Sequence, residues 1–302
     1  MGRKLASAVG AFAARAALEL ARTAPGADRL ERTNFRGHRV TLAGGPALAV
    51  GGTLAGTLAG PRSQAAAVAV AGLGSGAVGL YDDLVGGRPE HTAKGFKGHL
   101  RALREGRVTS GLVKIVGVGA AGLAAAALLP ATEPQPVSEK RAGRKRSSRK
   151  RAQQFLQDEP GQPTRWRRRA VDVLLGAGVI AGAANLANLL DLRPGRALKA
   201  GILVGTPLAR RNPAAAATVG AAASLLPRDL DEEIMLGDCG ANALGALLGT
   251  AFVARAGTAG RLAALAGIVA LTAASEKVSF TQVIERTPVL RELDAVGRKR
   301  VW

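Results

Sequence analysis

Two adjacent carboxylates, Asp82 and Asp83, stand where a long uncharged run of the sequence ends. A cationic, glycine-rich segment that contains Lys94 and Lys97 follows them. Charged side chains at the end of an apolar run face water at a membrane surface. An acid pair there suits a divalent cation or proton abstraction, because both need anionic oxygen near a polar substrate. Taken alone, an Asp-Asp dipeptide is more often a helix end followed by a solvated loop.

Two further motifs carry polar residues at the ends of apolar segments. Asn185 and Asn188 are three residues apart, so they share one face of a helix that leads to Asp191. Side-chain amides inside an apolar helix cost free energy unless they form hydrogen bonds. Asp238 opens a helical segment, where its carboxylate can cap free amides or point at a cation. Each feature alone is more often a helix cap or a contact between helices.

These motifs lie between uncharged runs that are long enough to cross a membrane. A helix spans a bilayer with about 20 apolar residues. Soluble helices rarely lack charge for about five turns, which disfavours a soluble alanine-rich bundle. We therefore predict an all-α, polytopic transmembrane bundle of about nine helices, within a range of about eight to ten. The four clearest runs cover residues 41–61, 63–81, 115–132 and 173–190.

The sequence predicts a single integral-membrane domain over residues 1–302, with two polar segments. Residues 131–169 are rich in Pro, Ser, Gln and basic residues, so we predict a disordered basic insert. Residues 275–302 form a polar tail of mixed charge. Successive transmembrane helices cross the membrane in opposite directions, so the predicted order of helices places the motif loops and the tail on one side. The Lys- and Arg-rich loop at 82–110 predicts that this side is cytoplasmic, whereas the basic insert would then lie outside.

The net charge of +20 first suggests a nucleic-acid partner. The basic residues instead cluster at the ends of uncharged runs, and only 3% of the residues are aromatic. A groove that alternates cations with stacking rings is therefore not indicated, and we predict no binding of nucleic acid. The single Cys239 excludes an intramolecular disulfide. The oligomeric state is left open, with a homodimer among the alternatives.

Together, in this order and at these spacings, the motifs resemble those of the polyprenyl-phosphate N-acetylhexosaminyl-phosphate transferases. This integral-membrane family includes phospho-N-acetylmuramoyl-pentapeptide transferase, and it is marked by Gly-Asp-Asp regions, an N-x-x-N-L-x-D motif and a G-D-x-G…L-G motif. The resemblance covers about residues 34–249 and rests on Asp82-Asp83 and on residues 185–191 and 236–245. It implies that a lipid phosphate attacks the β-phosphorus of a UDP-sugar, that UMP leaves, and that a lipid-diphosphosugar forms for cell-envelope synthesis.

The resemblance also implies roles for particular residues. Asp238 would be a Mg²⁺ ligand, with Asp83 as a second one. Asp82 and Asp83 would hold the metal or deprotonate and orient the lipid phosphate. The implied partners are a UDP-sugar and polyprenyl phosphate, and the implied location is the cell membrane with the active site on its cytoplasmic face. The implied substrate contacts are Asn185, Asn188, Asp191, Lys94, Lys97 and Arg193.

The sequence departs from the family pattern in two places. Asp191 is followed by Leu192 instead of glycine, and the last cytoplasmic loop lacks the family's histidine cluster, which helps to recognise the sugar nucleotide. A second hypothesis therefore stays open, namely a non-catalytic relative that binds the lipid carrier or scaffolds a cell-envelope complex. A transporter is disfavoured, because its acids should lie at mid-membrane whereas these lie at helix ends. Candidate replacements for the histidines are Arg193, Arg196 and Lys199.

Overall fold

The computed structural model describes residues 1–34, 36–86, 104–106, 109–131 and 165–299, and within them the chain is mostly helical. Lys94 and Lys97 lie outside the described residues, as does nearly all of the predicted insert. The helices are α1 (Arg3–Thr23), α2 (Gly44–Ala59), α3 (Arg62–Val85), α4 (Ser110–Leu128), α5 (Arg165–Leu190), α6 (Arg196–Ala209), α7 (Pro213–Leu230), α8 (Gly237–Val253), α9 (Thr258–Ser275), α10 (Phe280–Arg286) and α11 (Pro288–Ala295).

The four uncharged runs at 41–61, 63–81, 115–132 and 173–190 fall on α2, α3, α4 and α5. The helix α5 begins at Arg165, ahead of the run at 173–190 and inside the segment that was predicted to be the insert. Residues 165–169, which the composition assigned to the disordered insert, are therefore helical. Charge density in the first turn misled the prediction, because a helix end that projects from an apolar layer is free to carry arginines.

Among the residues that the structure describes, four helices are long and apolar enough to cross a membrane, namely α3, α4, α5 and α9. The prediction of about nine transmembrane helices is not confirmed. The helices α2, α6 and α8 have only 16, 14 and 17 residues, which is short against the ~20 residues of a full span. The four apolar helices have largely exposed surfaces, and α9 is exposed over almost its whole length.

The centre of the bundle is α8, which contacts every helix from α2 to α7 and is buried along nearly its entire length. Small residues allow this close packing. Gly245 lies against the backbone of Ala183 in α5, and Gly79 of α3 lies against the carbonyl group of Asp238, so neither position has room for a Cβ atom. Close backbone approach at small residues is the usual way in which apolar helices associate in membranes.

The first loop contains a hairpin that the all-α prediction did not include. Strand β1 (Glu31–Thr33) pairs antiparallel with β2 (Arg39–Thr41). Thr41 also forms a parallel bridge with Ile234, and its carbonyl oxygen accepts the N–H of Met235 at 2.8 Å. The hairpin thus ties the loop after α1 to the loop that precedes α8.

The polar tail folds into the two short helices α10 and α11. Arg298, just beyond α11, donates from Nε to the carbonyl oxygen of Pro194 at 2.9 Å. Lys299 donates from Nζ to the carbonyl oxygen of Asp231 at 2.8 Å. These bonds bring the end of the tail back to the loops after α5 and α7.

Candidate active site

The polar motifs meet at one end of the bundle, which we call the acidic end and define by the C-terminal ends of α3 and α5 and the start of α8. Arg32 in the first loop donates to the carbonyl oxygen of Asp83 at 2.5 Å. Asn34 donates from Nδ2 to Glu232 Oε2 at 2.6 Å, which joins the first loop to the loop after α7. The motif loops and the tail therefore share one end, as helix alternation predicts, while the side of the membrane stays a prediction.

Asp82 and Asp238 share one cation, the ammonium group of Lys114. Lys114 Nζ lies 2.9 Å from Asp82 Oδ2 and 2.5 Å from Asp238 Oδ2. The exposed fractions of the three side chains lie between 14% and 24%. Two carboxylates this close and this shielded repel each other unless a positive charge lies between them. The pair thus forms a cation-binding arrangement in which Lys114 supplies the charge.

Asp83, the sequence neighbour of Asp82, has different partners. Its two carboxylate oxygens accept the backbone N–H groups of Asp238 and Cys239, each at 2.9 Å. These amides belong to the first turn of α8, where N–H groups lack helical partners and the helix dipole is positive. Gly237 has a φ of +58° and leaves no room for a side chain against the Asp83 carboxylate. Asp83 therefore caps α8 and ties it to α3.

Asp191 also bonds the start of α8, because its carboxylate accepts the backbone N–H of Gly237. Burial raises the pKa of Asp191 well above its ordinary value, and the carboxylates of Asp229, Asp238 and Asp83 raise it further. Repulsion among neighbouring acids is relieved by protonation or by a cation. Either a proton or a bound cation would therefore relieve the repulsion at the acidic end.

A cavity of about 390 Å³ opens beside these acids. Its volume lies within the ~300–1,000 Å³ that is usual for small-molecule sites. Its wall combines carboxylates with apolar side chains and one guanidinium group. The lining residues are Arg32, Leu42, Asp83, Asn188, Leu189, Asp191, Leu192, Met235, Gly237 and Asp238. All three sequence motifs thus contribute to the wall of one cavity.

The structure separates the two asparagines of the second motif. Asn188 lines the cavity, whereas Asn185 is exposed about one turn earlier on α5 and is not part of the lining. Arg193 lines a smaller neighbouring cavity and lies 3.8 Å from Glu285 of the tail. Of the predicted substrate contacts in the described part of the chain, Asn188 and Asp191 lie at the main cavity.

Two of the cations that were candidates to replace the histidine cluster hold the tail instead. The buried guanidinium of Arg196 bonds the two oxygens of Asp294 at 2.9 and 3.0 Å and the hydroxyl of Thr281 at 2.9 Å. Lys199 donates to three carbonyl oxygens at the end of α11, at 2.7 to 3.3 Å. Their donors are used to fix the tail against the loop that carries Asp191.

Sequence reasoning missed Lys114, although a signal was present. It is a lone lysine in the second turn of the apolar helix α4. An ionisable residue inside such a helix is expensive and therefore marks a functional position by default. The uncharged run that predicts this helix begins at residue 115, so Lys114, directly before it, was passed over.

Glu232 was also missed, and no local pattern marks it. Its side chain is only 4% exposed and accepts bonds from Asn34, Arg36 and His38. The residue has a φ of +58°, a left-handed conformation that costs free energy for a residue with a Cβ. Contacts with the first loop hold it there, and they fix that loop beside the cavity.

The residues at the acidic end fit Mg²⁺ in kind but are few in number. Within the ranges that the structure describes, no group of three or more Asp, Glu, His or Cys side chains is placed to hold a metal ion. Proteins commonly bind Mg²⁺ through one or two carboxylates, with water and substrate phosphates as the other ligands. Asp82 and Asp238, which converge on one ammonium group, match that donor set. As a metal ligand Asp83 stays a prediction, since both its oxygens bond amides.

No protein-family model matches this chain, and no curated protein matches it either. The resemblance to the phosphosugar transferases therefore depends on the motifs and on the way the fold brings them together.

Proposed function

We propose that this protein is a Mg²⁺-dependent enzyme that transfers a phospho-N-acetylamino-sugar from a UDP-sugar to a polyprenyl phosphate. An oxygen of the lipid phosphate bonds to the β-phosphorus of the UDP-sugar, the bond from that phosphorus to the bridging oxygen breaks, and UMP leaves. The observation that carries the proposal is the cavity at the acidic end. Asp83, Asn188, Asp191 and Asp238 come from three distant motifs, and all of them line it.

The carboxylates of Asp82 and Asp238 would hold Mg²⁺ in this proposal. When bound, the ion would supply positive charge to the phosphate oxygens, because both the attacking and the leaving groups are anionic. The chain's own contribution is to position these carboxylates. Asp83 and Asp191 bind the first amides of α8 and so fix the direction in which Asp238 points.

Lys114 would keep the acid pair together before substrates arrive. Its ammonium group lies within 2.9 Å of both carboxylates. A lysine is a compact point charge on a flexible stem, so the same group can turn toward a phosphate once another cation neutralises the acids. Lys114 would thus orient a substrate phosphate during transfer.

The location of the cavity supports a lipid acceptor. Four of the described helices are long and apolar enough to cross a membrane. Three of them, α3, α5 and α9, have their C-termini at the acidic end. A polyprenyl phosphate has its charged head at the membrane surface and its chain in the apolar layer. The exposed apolar sides of the spanning helices would accept that chain while the head enters the cavity.

The alternative proposal is a non-catalytic relative that binds the lipid carrier or scaffolds a cell-envelope complex. One observation favours it. The cation between Asp82 and Asp238 is already provided by Lys114, and the described residues offer no third ligand of the usual metal-binding types. Such a site can bind an anionic headgroup through Lys114 and Arg32 without turnover.

The two proposals are separated by an assay for release of UMP. Purified protein in detergent is given polyprenyl phosphate, Mg²⁺ and a panel of labelled UDP-sugars, and UMP and labelled lipid are measured. Turnover that stops with EDTA supports the transferase. Binding of polyprenyl phosphate without release of UMP from any of the sugars would favour the scaffold.

A matched pair of variants makes this assay specific to the site. Asp238→Asn removes a charge at the cavity, whereas Asp231→Asn removes one from the loop that leads to α8, at a half-exposed position that faces Lys299. Transfer should be lost in the first variant and kept in the second. Equal loss in both would show that the effect is on the loop and not on the acid pair.

A further inference from the structure

The tail helix α11 has an apolar stripe with no protein partner among the described residues. Val289, Leu293 and Val296 are 68%, 56% and 63% exposed. Val289 and Leu293 are four residues apart, so they lie on one face of α11, and Val296 follows directly after the end of the helix, three residues beyond Leu293. Three large side chains exposed along one stripe are unusual for a surface that meets only water.

Another face of α11 carries Asp294 and is fixed to the bundle. Asp294 is only 10% exposed and binds Arg196 through both of its oxygens. Arg298 adds a bond of 2.7 Å to the same carboxylate. Because this face is anchored, α11 cannot turn its apolar stripe inward, and the stripe stays exposed to whatever surrounds the acidic end.

Chain length places that stripe close to the membrane. The apolar helix α9 ends at Ser275, and α10 begins at Phe280 after only a short turn. Exposed basic residues flank the stripe at Lys277, Arg286 and Arg291. A helix with an apolar stripe, a polar face and nearby cations is typical of segments that lie in the headgroup region of a bilayer.

We propose that α11 lies in the membrane interface with Val289, Leu293 and Val296 among the lipid headgroups and upper acyl chains. Its opposite contacts, from Arg196 to Asp294 and from Arg298 to Pro194, then connect the lipid surface to the loop that carries Asp191. The tail is in this way an interfacial clamp on one wall of the cavity. This inference does not depend on phosphosugar transfer.

Spin labels measure the depth of α11 directly. Single cysteines are placed at Val289, Leu293 and Arg291 in a Cys239→Ala background, since Cys239 is the one native cysteine. Arg291 is two residues from both apolar positions and is 59% exposed, so it is the matched control on another face. The labelled full-length protein is placed in nanodiscs that contain anionic phospholipid. Collisions with oxygen, which concentrates in hydrocarbon, are compared with collisions with a water-soluble nickel chelate.

The expected result is a higher oxygen-to-nickel collision ratio at Val289 and Leu293 than at Arg291. Strong collision with the nickel chelate at all three positions would overturn the proposal, because the stripe would then face water. Protection of Val289 and Leu293 from both reagents would also overturn it, because a protein surface, such as a second copy of this chain, would then cover the stripe.

The clamp is tested separately with a label at Leu192, which is 58% exposed in the loop that carries Asp191. Asp294→Asn should increase the mobility of that label, and Asp294→Glu should restore part of the immobility. Glu292→Gln, at an exposed position on the same helix, should leave it unchanged. Unchanged mobility in Asp294→Asn would show that the tail does not hold the loop.

Discussion

The two ends of α8 are both capped by charged side chains from other parts of the chain, but only one end forms a candidate site. At the C-terminal end, Arg261 is buried and donates to the carbonyl oxygens of Val253, Ala256 and Asp172. At the N-terminal end, Asp83 and Asp191 accept the first amides of the helix. Both arrangements match the helix dipole, with a cation at the negative end and anions at the positive end.

The difference lies in what remains after capping. These hydrogen bonds of Arg261 all go to backbone carbonyl oxygens near the ends of helices. This end of α8 is therefore held by a structural contact, and we call it the static end. At the acidic end the carboxylates of Asp82 and Asp238 are added to the two caps, and positive charge comes from Lys114 and Arg32. Acids outnumber cations beside a cavity, and that imbalance distinguishes a binding site from a structural cap.

The largest expected effect is the loss of transfer in Asp238→Asn. The change keeps the size of the side chain but removes the charge that would hold Mg²⁺. Metal stabilisation of a transition state contributes several kcal/mol, and each ~1.4 kcal/mol is a factor of ten in rate. Transfer should therefore fall by several orders of magnitude in the assay with labelled UDP-sugar, while size-exclusion profiles stay unchanged. Full activity in this variant would remove Asp238 from the site.

Asp82→Asn and Asp83→Asn sharpen the comparison between a functional acid and a cap. Asp82→Asn should reduce transfer strongly with little change in Tm. Asp83→Asn should lower the Tm, because an amide offers one acceptor oxygen where two N–H groups need partners, and an unsatisfied buried donor costs about 1–3 kcal/mol. Both expectations are checked by measuring the Tm of each variant in detergent together with its transfer activity. If the two variants gave the same result in both measurements, the adjacent acids would not have separate roles.

Arg261→Ala tests the static end. The buried carbonyl group of Val253 and the partly buried ones of Ala256 and Asp172 would lose a donor. The free energy of unfolding should therefore fall by about 1–3 kcal/mol. Binding of UDP-sugar, measured by calorimetry at a temperature where the variant is folded, should stay the same. Arg255→Ala, at an exposed position near the same end, is the control for the loss of positive charge. A weaker affinity for UDP-sugar in Arg261→Ala alone would show that the two ends are coupled.

The smallest expected effect is a pH dependence at the tail. Partial burial acts to raise the pKa of Asp294, but the bond from Arg196 and the charges of Arg298 and Arg196 outweigh it, so the pKa is lowered from its ordinary value of 3.8. A lowered folded-state pKa contributes stability above the ordinary value, and this contribution is lost as the pH falls through the folded-state pKa. The difference in Tm between wild type and Asp294→Asn should therefore be present at neutral pH and shrink below pH 3.8. A difference that grows on acidification would contradict the assigned pairing.

Much of the helical architecture could be predicted from the sequence. Long uncharged runs have no alternative to helices in an apolar layer, and each run corresponds to a helix between α2 and α5. The opposite directions of successive helices were enough to predict that Asp83, Asp191 and Asp238 lie at one end of the bundle. The number of full spans was harder to predict, because a short helix such as α8 is also apolar when neighbouring helices bury it.

Only the tertiary structure decided which partner each charged residue has. Asp82 and Asp83 are chemically identical neighbours, and their roles differ because successive residues of a helix point in directions about 100° apart. One direction meets Lys114 of α4, and the other meets the amides of α8. In the same way Arg196 became an anchor for Asp294, a pairing across a long stretch of chain. Sequence pattern fixes which residues are polar and on which helix they lie, whereas their partners depend on how the helices pack.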